Sequence, residues 1–191
     1  MGRWEPNARG RLAQAALTLY AEQGFEKTTA AEVAARAGLT ERTFFRHFTD
    51  KREVLFHGTE MAKDLLVRTL TEAPDRTAPL DAVGAALETL GARLQEDPER
   101  VRLRDAVVSA NAELRERELA KLAGLAAVMA DTLRDRGVPE PAASLAAETG
   151  IAVFKVAFAR WIAQAGPSDL LSVLRASMTE LRDVAADHGP A

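Results

Sequence analysis

TTAAEVAARAGLTERTFFRHFTDKREVL, residues 28–55, is the stretch on which the reading of this chain turns. Thr29 precedes an apolar-periodic segment and Glu32 follows three residues later. At that spacing a threonine hydroxyl and a glutamate each satisfy an exposed amide at a helix start. Gly38 closes this helix, and Thr40 is placed to cap another that runs to about His47. Two short helices joined by a tight turn make specific demands. Ala34 is small where the helices must cross, Gly38 supplies the positive φ that such a turn uses, and Val33, Leu39, Phe44 and Phe48 form an apolar wedge. Each feature is common by itself, but their joint spacing is that of a helix-turn-helix.

The second helix of such a motif lies in the major groove of duplex DNA, with its early residues over the base edges. That makes Thr40, Glu41, Arg42, Thr43, Phe45, Arg46 and His47 the candidate DNA-binding residues. Arg42 can meet guanine O6 and N7 with two parallel donors, Thr43 can touch a thymine methyl or a phosphate, and Glu41 can accept from a cytosine amino group. Arg46 and His47 stand further along, nearer the phosphates. Lys51 is expected in the first turn of a further helix opened by Asp50, where a cation and free amides together suit a phosphate. Thr29 is placed to do the same at the earlier helix start. Arg9 and Arg11 are within reach of the DNA backbone or minor groove, with nothing in the sequence to fix their direction. Arg36 and Arg52 suit a solvated surface as well as they suit DNA.

From Leu12 to Leu55, and most closely over residues 28–55, the chain resembles the DNA-binding domain of the TetR family of transcriptional regulators. The resemblance implies an all-helical homodimer that binds a palindromic operator, usually as a repressor released by a small-molecule effector. It implies a helix-turn-helix DNA-binding domain over residues 1–50 and an effector-binding and dimerisation domain over 51–191. One departure matters. The family commonly has tyrosine where this chain has Phe45; a tyrosine gives its hydroxyl to a phosphate, whereas Phe45 can pack only against sugar or a thymine methyl. Thr40 stands where serine is more usual and keeps the cap. Glu41 and Arg42 fall where the family varies, as residues that choose an operator should.

Outward from this motif the pattern is all-α, with about nine helices in total. A first helix over 7–23 carries Leu12, Ala15, Ala16, Leu19 and Tyr20 on one stripe, and Gly24 ends it. A fourth is expected to run without interruption from Asp50 to about Glu72. Pro74 to Pro79 is a break, after which helices near 80–96, 99–110, 113–136, 140–164 and 168–186 are separated by Asp97-Pro98, Asn111, Gly137-Val138-Pro139 and Gly166-Pro167. In 140–164, Ile151, Phe154, Phe158 and Trp161 make one large apolar stripe. Val153, Val156, Ala157, Arg160 and Ala163 on the other side are mostly small, as a close-packed partner copy would require. With Leu170, Leu174, Met178 and Leu181 of the last helix, this implies a homodimer built from two helices of each subunit.

The segment 113–162 is similar to the C-terminal domains of an actinobacterial-type branch of these regulators, for which fatty acyl-CoA or related lipophilic effectors are implied. Candidate ligand-lining residues are Met61, Leu65, Val107, Asn111, Met129, Phe154, Phe158 and Trp161; the same residues at the same spacing also suit an ordinary core. Arg100, Arg102 and Arg104 suit a CoA phosphate, or a surface paired with acids.

Composition sets the boundaries of function. The chain has 191 residues, 47% hydrophobic and 28% charged, the balance of a folded globular protein. With no cysteine there is no disulfide, thiolate zinc site or cysteine nucleophile. His47, His57 and His188 do not cluster, and Glu53 and His57 are four apart where a di-iron bundle needs three. There is no phosphate-cradling glycine loop and no nucleophile elbow, so neither an enzyme nor a cofactor or metal is expected. No apolar run of about 18 residues and no apolar leader are read, so a cytoplasmic protein without a membrane partner is expected. The net charge of −3 argues weakly against nucleic acid. However, residues 1–60 carry nine Lys and Arg against eight Asp and Glu, and the acidic excess lies beyond them. The rival reading is a helical protein-interaction module that no longer reads a specific DNA sequence, for which Phe45 and the near-neutral first sixty residues speak.

Overall fold

The computed structural model describes residues 7–164 and 169–186; the Gly166-Pro167 break and His188 lie outside the described residues. Among the described residues there are nine α-helices and no strand. They are α1 (Ala8–Gln23), α2 (Ala30–Arg36), α3 (Glu41–His47), α4 (Thr59–Glu72), α5 (Pro79–Leu94), α6 (Pro98–Ser109), α7 (Ala112–Asp135), α8 (Ala142–Ala163) and α9 (Leu170–Ala186). A single 3₁₀ turn, Glu53–Phe56, stands between α3 and α4. The all-helical class and the number of helices agree with the sequence pattern.

The expectation of one unbroken helix from Asp50 to Glu72 is corrected. Asp50 does cap the segment, its Oδ1 accepting from the amides of Arg52 (2.8 Å) and Glu53 (3.0 Å). The helix nevertheless stops at Phe56, because side chains take the carbonyls that a continuing helix would give to amides. His57 Nδ1 lies 2.7 Å from the Val54 carbonyl, and the Thr59 hydroxyl donates to Phe56 at 2.8 Å. Gly58, a poor helix residue, sits in the gap.

The chain folds into two compact units that are not contiguous in sequence. One gathers the residues up to Thr59 together with Glu99–Glu118; the other gathers Glu60–Pro98 with the residues from Leu119 onward. This geometric division differs from a linear cut at residue 50. In the first unit α1, α2 and α3 pack together around Leu12, Ala16, Val33 and Phe44, all fully or nearly fully buried. Val107 and Val108 of α6 and Leu114 of α7 belong to the same core. The helix-turn-helix therefore closes its core with residues from the middle of the chain.

In the second unit α5, α8 and α9 pack against one another. Gly150 allows α5 and α8 to approach closely: a Cβ there would collide with Val83 Cγ1 and lie 3.2 Å from Leu87 Cδ1. Trp161, Leu170 and Leu174 are completely or almost completely buried. Arg136 closes the end of α4, where helix carbonyls lack amide partners, by donating to the carbonyls of Leu70, Thr71, Ala73 and Pro74. Arg175 with Glu88 and Arg160 with Glu180, each pair at 2.6 Å, add half-exposed ion pairs worth little individually.

Two readings of α8 change. Val153 and Ala157, expected on a face reserved for a partner copy, are buried within the chain. The exposed row is instead Leu145, Ala152, Val156, Ala159 and Ala163. Moreover, α8 spans 22 residues and is long and apolar enough to cross a membrane by length and composition, contrary to the expectation that no run approached that limit. Alanine supplies much of that apolar character, and Ala143, Ala146, Ala147 and Ala157 pack inside the unit.

Candidate nucleic-acid interface

The interface is assembled from short helices whose ends are fixed locally. Thr29 and Glu32 form the expected reciprocal cap: the Glu32 carboxylate accepts from the Thr29 amide and hydroxyl at 2.8 Å each, and the Thr29 hydroxyl accepts from the Glu32 amide at 3.2 Å. These hydrogen bonds hold the Glu32 carboxyl below its usual pKa. The turn that follows uses Gly38 at φ +67°, with Leu39 N donating back to Ala34 O at 2.8 Å. Arg11 donates to the Ala37 carbonyl beside this glycine. Thr40 then caps α3, its hydroxyl accepting from Thr43 N at 3.2 Å and lying 3.0 Å from the Thr43 hydroxyl.

Seven residues of α3 divide cleanly. Phe44 points into the core with Phe48, ring centroids 5.6 Å apart. Glu41, Arg42, Phe45 and Arg46 face outward and are exposed. Glu41, Arg42 and Arg46 have no hydrogen-bond or ion-pair partner among the described residues. Phe45 keeps 54% of its surface exposed and stands edge-on to Phe44, 5.3 Å away at 83°. His47 is half-buried, and its Nε2 is buried without a hydrogen-bond partner among the described residues.

Lys51 is placed differently from the reading above. Its ammonium donates to the carbonyls of Phe25 (2.9 Å), Glu26 (3.1 Å) and Thr28 (3.2 Å), and lies 4.4 Å from the Phe25 ring centroid. The Tyr20 hydroxyl donates to the Lys51 carbonyl at 2.6 Å, and burial, then the Asp50 carboxylate, push that phenol's pKa far up. The amides that follow Lys51 are taken by Asp50. Lys51 therefore ties the α1–α2 connection to the segment after α3 instead of presenting a free ammonium and free amides. Arg9 lies over the Phe48 ring at 5.6 Å. Arg36 pairs with Glu22 at 2.9 Å, and Arg52 pairs with Glu113.

Sequence reasoning missed the arginine lattice of the first unit. Arg117 Nε donates to Glu53 at 2.8 Å and its Nη1 lies 3.7 Å from Asp50. Arg104 donates to the Leu55 carbonyl at 2.9 Å, pairs with Glu118 at 2.7 Å and lies 5.0 Å from the Phe56 ring. These contacts clasp the segment after α3 to α6 and the start of α7. The signal was slight: Val107, Val108 and Leu114 stand as isolated apolar points among arginines and glutamates.

The eight ligand-lining candidates do not fall in one unit. Val107 and Asn111 lie in the first, where the Asn111 amide donates to the Val107 carbonyl at 2.6 Å. Both border an open cleft of about 440 Å³ between the end of α1 and α6, lined also by Tyr20, Phe25 and Leu103. Met61, Leu65, Met129, Phe154, Phe158 and Trp161 lie in the second unit. There Met61 is exposed, Leu65 and Phe158 are half-buried, and Met129, Phe154 and Trp161 are buried. The rings of Phe154, Phe158 and Trp161 form a run with centroids 5.8 and 5.9 Å apart.

His57 joins the same first-unit core. Its ring is edge-on to Phe48 at 6.5 Å. Burial holds its pKa below the ordinary 6.5, and Arg100, Arg9 and Arg104 push the same way against the Val54 carbonyl. Above the ordinary value the imidazole is neutral folded or unfolded and contributes no pH dependence. As pH falls below it, the unfolded chain binds a proton that the folded one resists, so stability declines until the folded imidazole titrates too. Urea midpoints between pH 7.5 and 5 should thus fall more steeply for the native chain than for His57→Phe; parallel curves would refute this role.

Residues 12–57 match the family model described as bacterial regulatory proteins, tetR family. Over those residues the chain carries the helix-turn-helix of the TetR family. A curated relative, the HTH-type transcriptional regulator TcmR of Streptomyces glaucescens, is 32% identical over 88 residues, 46% of this chain and 39% of TcmR. The alignment thus spans well under half the length of that relative. Among solved structures, the fatty acid degradation regulator FadR from Bacillus halodurans superimposes with a TM-score of 0.65 at 15% identity, covering 98% of this chain and 100% of that one. Thermus thermophilus FadR, in complex with lauroyl-CoA, gives 0.59 at 22% identity, covering 96% and 98%. At these identities the likeness is one of fold. The chain therefore combines a TetR-type helix-turn-helix with a helical fold like that of these structures.

Proposed function

We propose that the chain is a DNA-binding transcriptional repressor that binds a palindromic operator as a homodimer in the cytoplasm and is released by a small lipophilic or acyl-CoA-like effector. The observation that carries the DNA-binding reading is the outer face of α3. Glu41, Arg42 and Arg46 are exposed without partners, on a helix anchored from behind by Phe44. Residues 1–50 would form the reading domain and 51–191 the effector-binding and dimerisation domain. Phosphate contacts would come from Arg46 and His47, and from Thr29 where a phosphate displaces the Glu32 carboxylate from its amide and hydroxyl. The exposed row along α8, with Leu145 at 62% and Val156 at 54%, supports pairing with a second copy through α8 and α9. Two copies of α3 would then enter successive major grooves about 34–36 Å apart.

The effector class rests on the fold shared with FadR, which in Thermus thermophilus binds lauroyl-CoA, and on the aromatic run Phe154–Phe158–Trp161. Release requires the effector to bind one spacing of the reading helices more tightly than another. The helix α7 supplies Leu114 to the first-unit core and continues into the second unit, which gives such a displacement a covalent route.

Selecting bound fragments from random DNA with the purified chain tests the reading. A recovered palindrome, bound with a steep decline of log affinity against log salt, is the expected result. Exposed Phe45 also favours the protein-interaction reading; association insensitive to both salt and sequence would establish that alternative. On the selected operator, Arg42→Ala should weaken binding by about 1–3 kcal/mol and relax preference at one base pair per half-site. Unchanged affinity and preference would show that α3 is not the reading helix.

A further inference from the structure

We propose that Phe45 reads the C5-methyl group of a thymine in each operator half-site, so that this chain selects a methylated pyrimidine by apolar contact. The inference rests on the DNA-binding reading above and deepens it. On α3 the outward side chains form two rows: Glu41 and Phe45 are one turn apart, and Arg42 and Arg46 are one turn apart beside them. The Thr40 and Thr43 hydroxyls are already engaged with each other and with the cap of α3, so they are poorly placed to choose a base. Recognition therefore falls to the four exposed side chains.

Their chemistries are not interchangeable. The arginines are donors, and the glutamate is an acceptor that a phosphate repels. Phe45 has neither donor nor acceptor, yet 54% of its surface is exposed and its ring is held edge-on by Phe44. Flanking arginines without partners favour an anionic occupant over an apolar protein surface. Of the groups in the major groove of unmodified DNA, the thymine methyl is the apolar one that distinguishes a base pair. The phenyl ring has no hydroxyl to give to a phosphate, and of the two apolar partners open to it, sugar and a thymine methyl, the methyl is the one that distinguishes a base pair.

The test uses the full chain and the operator recovered by random selection, with each thymine replaced in turn by uracil, which removes only the methyl. At one position per half-site the native chain should lose affinity about three- to fivefold, the equivalent of one buried methyl group. In Phe45→Ala, and in the bulkier control Phe45→Leu, that penalty should shrink or vanish, with circular dichroism confirming the native helix content. If uracil is tolerated at every position while the operator is still bound tightly, the methyl reading is overturned and the regulator reading stands. A uracil penalty of full size in Phe45→Ala also overturns it, because the contact then belongs to another residue. Failure to recover any preferred sequence overturns the regulator reading itself.

Discussion

Phe44→Ala is expected to cost about 3–5 kcal/mol of stability in the first unit and to remove specific DNA binding with it. Phe44 is completely buried on a seven-residue helix whose other large side chains mostly face outward. So short a helix has little stability of its own and is held in place by what it packs against. Phe44 meets Phe48 at 5.6 Å and supports Phe45 at 5.3 Å, so truncation loosens both the core and the reading face. Urea unfolding followed by circular dichroism measures the first effect, and binding to the selected operator measures the second. Phe44→Leu should recover most of the stability and part of the affinity. A Phe44→Ala chain that unfolds at the native urea concentration and binds DNA unchanged would contradict the placement of this core.

Trp161→Ala carries an expected loss of similar size, about 3–5 kcal/mol, in the second unit. The indole is completely buried on α8 and ends the ring run that begins at Phe154. This substitution also decides between the two roles the sequence left open for Trp161. A core tryptophan should lower the melting temperature strongly and leave the response to an added fatty acyl-CoA to follow the folded fraction. A pocket-lining tryptophan should change acyl-CoA affinity at temperatures where the variant remains folded. Trp161→Phe, which keeps most of the apolar volume, separates loss of packing from loss of shape.

Local chemistry made the helix-turn-helix legible. The Thr29–Glu32 cap, the left-handed Gly38 and the inward Phe44 are each dictated by residues within a few positions, and the structure has each of them. What was not legible depended on partners distant in the chain. Lys51 looked like a free phosphate anchor because the carbonyls that capture it lie more than twenty residues earlier. Arg104 suited a CoA phosphate or a surface paired with acids, and Arg117 carried no signal, because Leu55, Glu53 and Asp50 are remote in sequence. On α8, periodicity found two apolar sides but could not say that Val153 and Ala157 are buried within the chain while Val156 stays exposed. The break after Phe56 was missed for a different reason: helix-stopping side-chain bonds from His57 and Thr59 leave no mark on apolar periodicity.

The inclusion of residues 99–118 in the first unit bears on how such a protein can be rearranged. A fragment ending at Thr59 would expose the surface that Val107, Val108 and Leu114 cover. It would also leave Glu53 without Arg117 and the Leu55 carbonyl without Arg104. The helix-turn-helix is therefore not a portable cassette confined to residues before Thr59. A hybrid regulator that exchanges DNA specificity by swapping only residues up to Thr59 inherits a mismatched lid, and the graft needs α6 and the first turns of α7 to travel with it.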